Sequence, residues 1–304
     1  MRYTKPPMTF EDQAELLLER GLEVDREELV KRLSQVNYYR LSAYWYPFRE
    51  SGSDALRPGT TLATVWDRYV FDRQLRVLTM DAIERVEVSV RTAVVHRFSL
   101  SHGAFGHLDR ANLPKLTVDQ HRRFLRKLRK EETQSQEAFI AHYHRKYTSE
   151  TDLPLWIAAE LMDFGCMFTL FRGLEAKIKQ DVARSYGISD KVLESWLTSI
   201  NTVRNICAHH GRLWNRTFGT PFSIPRKNKH PEWHNPVELG SAERKCFSGL
   251  TVLRYLLGII APQSQWERRL VRLLEEKHPA IPIREMGFPA DWKSCPIWAV
   301  GDGS

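Results

Sequence analysis

Apolar positions recur along most of this chain at intervals of three and four residues, the spacing of helices that bury one face. Thr9 with Asp12 reads as a capping box, and the helix it opens carries Ala14, Leu17 and Leu18 on one side. Gly21 is placed to end it in a left-handed turn. Asp25 with Glu28 opens a second helix with Leu29, Leu33 and Val36 inward, so the chain begins with a helical hairpin. Residues 51–60 read as a loop. From about 61 to 99, Leu75, Leu78, Ala82, Ile83, Val86, Val90 and Ala93 hold a helical rhythm that breaks at Ser101-His102-Gly103. Loop character then runs to about 116, and His121–Lys130 reads as a basic amphipathic helix. Pro154 opens a further helix carrying Trp156, Ile157, Leu161, Phe164, Phe168 and Phe171, with Glu160 and Asp163 as acidic exceptions. A short helix spans about 175–186, and Ser189 caps the next, which ends near His209. Two more helices are expected at about 241–260 and 264–277, followed by an irregular apolar tail that lies back on the body. No alternating strand pattern, hairpin turn or repeat is present, so the expected fold is all-α. Its expected parts are residues 1–52 (hairpin and aromatic hub), 60–278 (main helical domain) and 279–304 (tail).

Composition narrows the partners. The 304 residues are 42% hydrophobic, enough for a real core. The formal net charge of +8 points either to a polyanionic partner such as RNA or to a solubilising surface. The basic face of residues 121–130 carries the same two readings, a phosphate-binding surface or an ordinary solvated face. Cys166, Cys207, Cys246 and Cys295 are far apart and sit among apolar residues, so they read as buried thiols of a reducing compartment. No apolar signal segment and no run long enough to span a bilayer is visible, which predicts a cytoplasmic protein with no membrane partner. There is no glycine-rich phosphate loop and no HExxH, and His142 and His144 are two residues apart, off a common helix face. No metal and no cofactor is expected.

The candidate chemistry collects at the end of the 190–209 helix. Leu193, Trp196, Leu197, Ile200, Val203 and Cys207 share one arc, and Thr198, Asn201, Asn205 and His209 share a polar one. Arg204 breaks the pattern by lying inside the apolar arc. A guanidinium cannot shed its charge, so it must meet a carboxylate, a phosphate or a wet interface. Glu84, Glu87, Glu160 and Asp163 are the internal candidates. A histidine at a helix end titrates near neutral pH, which suits general acid–base work on a ribose 2′-hydroxyl. An arginine one turn earlier suits the charge of a phosphorane-like transition state. Arg204 and His209, with Asn205 adjacent, are therefore the candidates for metal-free RNA cleavage to a 2′,3′-cyclic phosphate. His210, Arg212, Asn215 and Arg216, with Arg226, Lys227 and Lys229 in the following loop, are the candidates for RNA contact. The spacing of Arg204 and His209 alone is uninformative, because Arg91 with His96 and Arg97 with His102 repeat it. Upstream, six of the twelve residues from Asn37 to Phe48 are aromatic, and they read as a packing hub or as a base-stacking platform.

The stretches NYYRLSAYWYPF, RNICAHHGRLWNR and MGFPADW resemble the Abi-like (AbiD/AbiF) abortive-infection proteins of bacteria, and the resemblance runs from KPPMTFEDQAELLLERG to the end of the chain. The resemblance implies a HEPN-type helical bundle in which Arg204, Asn205 and His209 form a ribonuclease site. It implies a homodimer, because such sites usually form between two domains, with Arg91 and His96 as an internal alternative half-site. It implies a phage-defence or toxin effector restrained by a small-RNA or protein antitoxin. The alternative function is a non-catalytic RNA-binding or phage-sensing protein of the same fold.

Overall fold

The computed structural model describes residues 2, 4, 6–234 and 243–299. The N-terminal caps act as their sequence implies. Thr9 and Asp12 close a reciprocal capping box on α1 (Phe10–Glu19), and the Asp25 side chain accepts from the N–H of Glu28 to start α2 (Arg26–Gln35). Asn37 caps α3 (Tyr38–Trp45), which carries the aromatic hub. Tyr44 and Trp45 are buried and Tyr38 half-buried, whereas Tyr39 is 74% and Tyr46 64% exposed. Packing therefore holds the hub, and two rings remain on the surface.

The long helical rhythm becomes one helix, α4 (Leu62–His102), of 41 residues and about 60 Å at 1.5 Å per residue. α5 (Val118–Gln134) and α6 (Ala138–Lys146) follow, then α7 (Leu155–Ala158), α8 (Phe164–Gly173), α9 (Ala176–Arg184), α10 (Asp190–Ala208), α11 (Cys246–Ile260) and α12 (Trp266–Arg272). α3, α9, α10, α11 and α12 all pack on α4, and one apolar core runs from Ala14 to Trp298. Among the described residues there is no strand, only two isolated bridges, and no helix is long and apolar enough to cross a membrane. The four cysteines are free and buried, with the thiols of Cys166 and Cys207 each pushed up to about 12 by burial.

Two expectations need correcting. The helix expected from Pro154 to Phe171 is broken. Its first part ends in a 3₁₀ turn at Ala159–Leu161, Met162 is extended, and Asp163 starts α8 by accepting from the Cys166 N–H at 2.8 Å. The aspartate that looked like an exception on one helix face is the cap of the next helix. The helix expected at 241 begins at Cys246, with residues 241–242 outside those described. Near the end of the chain, Trp298 donates through Nε1 to Thr251 at 2.9 Å, and Phe288 packs against Phe247 on α11.

Three charged side chains on α4 are buried: Arg68, Asp72 and Arg76. Asp72, fully buried, pairs with Arg76 one turn on and accepts from the Tyr44 hydroxyl at 2.6 Å. Its other oxygen accepts the backbone N–H groups of Leu213 at 3.0 Å and Trp214 at 2.5 Å. Arg68 lies over the rings of Phe48 and Trp214, at 4.0 and 4.8 Å. Asp72 ties α3, and Arg68 the turn that follows it, to the segment after α10 on neighbouring turns of α4. Removing the acceptor strands a buried guanidinium, a hydroxyl and two N–H groups. Asp72→Ala is expected to cost about 3–5 kcal/mol in urea unfolding; a loss under about 1 kcal/mol would show that the node is dispensable.

His107 gives the fold a pH dependence. It is 2% exposed, its Nδ1 has no partner among the described residues, and its carbonyl is bonded to His121 Nε2 at 2.9 Å. Burial pushes the imidazole down to about 4. Between pH 6.5 and 4 the unfolded chain therefore takes up a proton that the folded chain refuses. Stability rises with pH across that window and is lost as pH falls, at roughly 1.4 kcal/mol per pH unit. Denaturant unfolding at several pH values should show this slope, and His107→Gln should flatten it by that amount.

Candidate functional site

α10 presents the arcs its sequence dictates. Ser189 caps it, and Leu193, Trp196, Leu197, Ile200, Val203 and Cys207 are buried against the body. Asn205 and His209 are exposed and Arg204 is half-buried. The helix closes on a Schellman motif: the His210 N–H donates to the Cys207 carbonyl at 3.0 Å and the Gly211 N–H to that of Ile206 at 2.7 Å. The unusual feature is the occupant of the left-handed position. His210 takes φ +57°, where glycine is the common choice. Gly211 sits one place later, where a Cβ would lie 3.2 Å from the Ile206 carbonyl oxygen, so the close approach keeps glycine there. The His210 carbonyl accepts from Arg40 of α3 at 2.6 Å.

Arg204 is surrounded by charge without being neutralised by it. Its Nη1 reaches Asn205 Oδ1 at a long 3.4 Å, and among the described residues no carboxylate lies within 4.0 Å of it. Its charge acts on Glu87 and Asp163, both among the internal candidates. Each already has a cation. Glu87 accepts from Arg91 at 2.6 Å, and Asp163 accepts from Lys127 at 2.5 Å while capping α8. Burial raises the Glu87 carboxyl above its ordinary value, with Arg91 and Arg204 pulling the other way. At Asp163 burial pushes upward too, but the Lys127 bond, the Cys166 N–H and Arg204 outweigh it and the carboxyl lies below its ordinary value. Three cations thus share two carboxylates, and the unpaired one is Arg204.

The expected contact residues divide into three groups. His209, His210 and Arg216 are exposed at or just beyond the C-terminal end of α10. Arg212 and Asn215 are engaged within the fold: Arg212 donates to the Ala43 carbonyl at 3.0 Å, and Asn215, left-handed at φ +51°, donates to Glu285 at 2.7 Å. Arg226, Lys227 and Lys229 are exposed but lie at the other end of the helix. The segment after Trp214 runs back along α10, with Ser199 and Trp196 donating to the carbonyls of Pro221 and Ser223. It brings Arg226 and Lys229 against Gly187–Val192, about 25 Å from His209 by helix rise. Sequence proximity did not foresee this, because nothing in the run of prolines fixes the direction of the return. Arg91 is held by Glu87 and by the Met162 carbonyl at 2.8 Å and His96 is exposed, and the two line one cavity of about 450 Å³ together with Trp156 and Glu160. Asp72 and Arg40, which hold the segment and the turn at this end of α10, were not picked out from sequence; Asp72 and Arg76 at i, i+4 inside an apolar stripe were the available signal.

Among the described residues no group of three or more His, Cys, Asp or Glu is placed to hold a metal. No match was found among curated proteins or among solved structures. Residues 31–215, which run from the second helix of the hairpin through Arg204, His209 and Asn215, match the family model described as Abi-like protein. That match covers more than half of the chain and includes both the aromatic hub and the end of α10, and the chain belongs to the Abi-like protein family.

Proposed function

We propose that this chain is a metal-independent endoribonuclease of bacterial phage defence, acting as a homodimer with HEPN-type chemistry. The observation that carries the proposal is Arg204, a half-buried guanidinium with no carboxylate in contact among the described residues, next to a helix end that exposes His209. The family fits abortive infection, and the net charge of +8 fits an RNA substrate. His209 takes the proton of a ribose 2′-hydroxyl, whose oxygen attacks the adjacent phosphorus. The bond to the 5′-oxygen breaks, and the imidazolium returns the proton to that oxygen. A 2′,3′-cyclic phosphate and a 5′-hydroxyl result. Arg204 stabilises the charge that builds on the non-bridging oxygens.

Helix geometry favours two copies. Arg204 and His209 are five residues apart, about 140° around the axis and about 7.5 Å along it. One helix therefore turns them to different flanks. A second copy related by a two-fold axis sets the Arg204 of each chain against the His209 of the other. Tyr39 and Tyr46, exposed on the hub, are available to stack bases.

Labelled RNA incubated with the protein in EDTA is expected to be cut to cyclic-phosphate ends, with His209→Ala losing about 10²–10⁴-fold in rate and Arg204→Ala also losing cleavage. Variants that cleave like wild type would refute the site, and binding without cleavage by all three proteins would favour a non-catalytic RNA binder. Mixing the two inactive variants should restore about a quarter of the activity, because half of the dimers are mixed and each holds one complete site of two. No recovery under conditions of subunit exchange would exclude the shared site.

His210 supplies a separate test. A left-handed residue with a side chain costs about 1–2 kcal/mol that glycine does not. His210→Gly should raise stability by about 1 kcal/mol in urea unfolding and weaken RNA binding. Unchanged RNA binding would leave His210 outside the interface.

A further inference from the structure

A cleft of about 450 Å³ lies between α5, α8 and the start of α10, away from His209. Five cations line it, Lys115, Arg123, Lys127, Arg172 and Lys179, against one carboxylate, Glu194. Glu194 holds Lys179 at 2.9 Å and Arg172 at 3.7 Å, and Lys127 is paired outside the cleft with Asp163. Among the described residues, Lys115 and Arg123 have no carboxylate within ion-pair distance, and Arg123 donates only to its own helix at the Asp119 carbonyl. The loop that carries Lys115 is seated closely on α8: its N–H donates to the Gly173 carbonyl at 3.2 Å, and a Cβ on Gly173 would come within 2.9 Å of Leu116. The cations are thus held in place on packed elements.

Lys127 links the cleft toward Arg204, because its partner Asp163 lies within the field of that guanidinium. α8 runs antiparallel to α10, with Asp163 at one end beside Lys127 and Arg204, and Arg172 at the other end beside Glu194. Ten residues of α8 make the run about 15 Å long. Five cations along one wall, two of them (Lys115 and Arg123) without a carboxylate in contact among the described residues, have the shape and charge of a track for a phosphodiester chain.

We infer that this cleft binds the sugar-phosphate backbone of single-stranded RNA and leads it to the Arg204 end of α10. The inference rests on the endoribonuclease reading for its ligand class, but not for cleavage itself. The test uses the full chain carrying His209→Ala, so that RNA stays intact, and a fluorescent single-stranded RNA of about 20 nucleotides, longer than a typical binding site. Affinity is read by anisotropy between about 50 and 300 mM salt. Adding Lys115→Ala and Arg123→Ala should weaken binding at least about tenfold near 150 mM salt and make the salt slope shallower by about 1.4, or 0.7 for each lost phosphate contact. Glu194→Gln frees Arg172 and Lys179 and should tighten binding and steepen the slope. This gain-of-binding arm decides the matter if the double variant melts early. Unchanged affinity and slope in both arms would overturn the cleft, even if the wild type cleaves RNA through Arg204. The expected pattern with no cleavage by the wild type would support the cleft and defeat the nuclease reading instead.

Discussion

The arrangement of the Arg204 end of α10 depends on one buried carboxylate. Asp72 receives four donors from three places in the chain: Arg76 on its own helix, the Tyr44 hydroxyl from the aromatic hub, and the N–H groups of Leu213 and Trp214. A charge with no exposed surface is tolerable only when its lone pairs are all used. The requirement works in both directions. Asp72 needs these donors, so α3 and the segment after α10 must meet in the first third of α4. Burial and the neighbouring Asp72 charge both raise the Tyr44 phenol, so it stays protonated and remains a donor.

The end of α10 inherits its position from this node. Gly211 and His210 close the helix three residues before Trp214, and the Arg40 bond to the His210 carbonyl fastens the same turn to the hub. The segment is thus held on both sides of the left-handed His210, which explains how a conformation that favours glycine persists with a side chain on it. Arg212 and Asn215 belong to the same fastening through Ala43 and Glu285. The exposed residues here, His209, His210 and Arg216, are presented by a framework that uses its other polar groups internally.

The elements that were legible in the sequence are those fixed by local rules. Capping at Thr9, Asp25 and Ser189, the rhythm of α4, and the arcs of α10 all depend on residues within a few turns of one another. The out-of-pattern Arg204 was legible for the same reason, and so were Glu87 and Asp163 as two of its four possible neighbours. What was not legible depends on long-range choices. Asp163 has the same local pattern whether it continues a helix or caps one, and the contacts of Lys127 and Arg91 with the break become visible only when α4 and α5 are packed. Nor could local rules foresee that Arg226, Lys227 and Lys229 are carried to the far end of α10, because that follows from Trp196 and Ser199 binding the returning chain.

The break before α8 connects the fold to the charge distribution at Arg204. A continuous helix through Met162 would have kept its carbonyl in an internal hydrogen bond and turned Asp163 into an ordinary surface acid. The extended turn instead releases the Met162 carbonyl to Arg91 and points Asp163 both at the α8 N–H groups and at Lys127. Arg91 and Lys127 thereby become the close partners of Glu87 and Asp163, and Arg204 is left within their field but outside their contact. Two carboxylates hold the guanidinium in place electrostatically without occupying its donors. This state suits the phosphate-binding role proposed for Arg204: full pairing would require an ion pair to be broken first, and no pairing would leave a half-buried charge with nothing to offset its desolvation. The same turn engages Lys127, which also lines the cation-rich cleft, so the unpaired state of Arg204 and one cation of that cleft depend on one local departure from helical geometry.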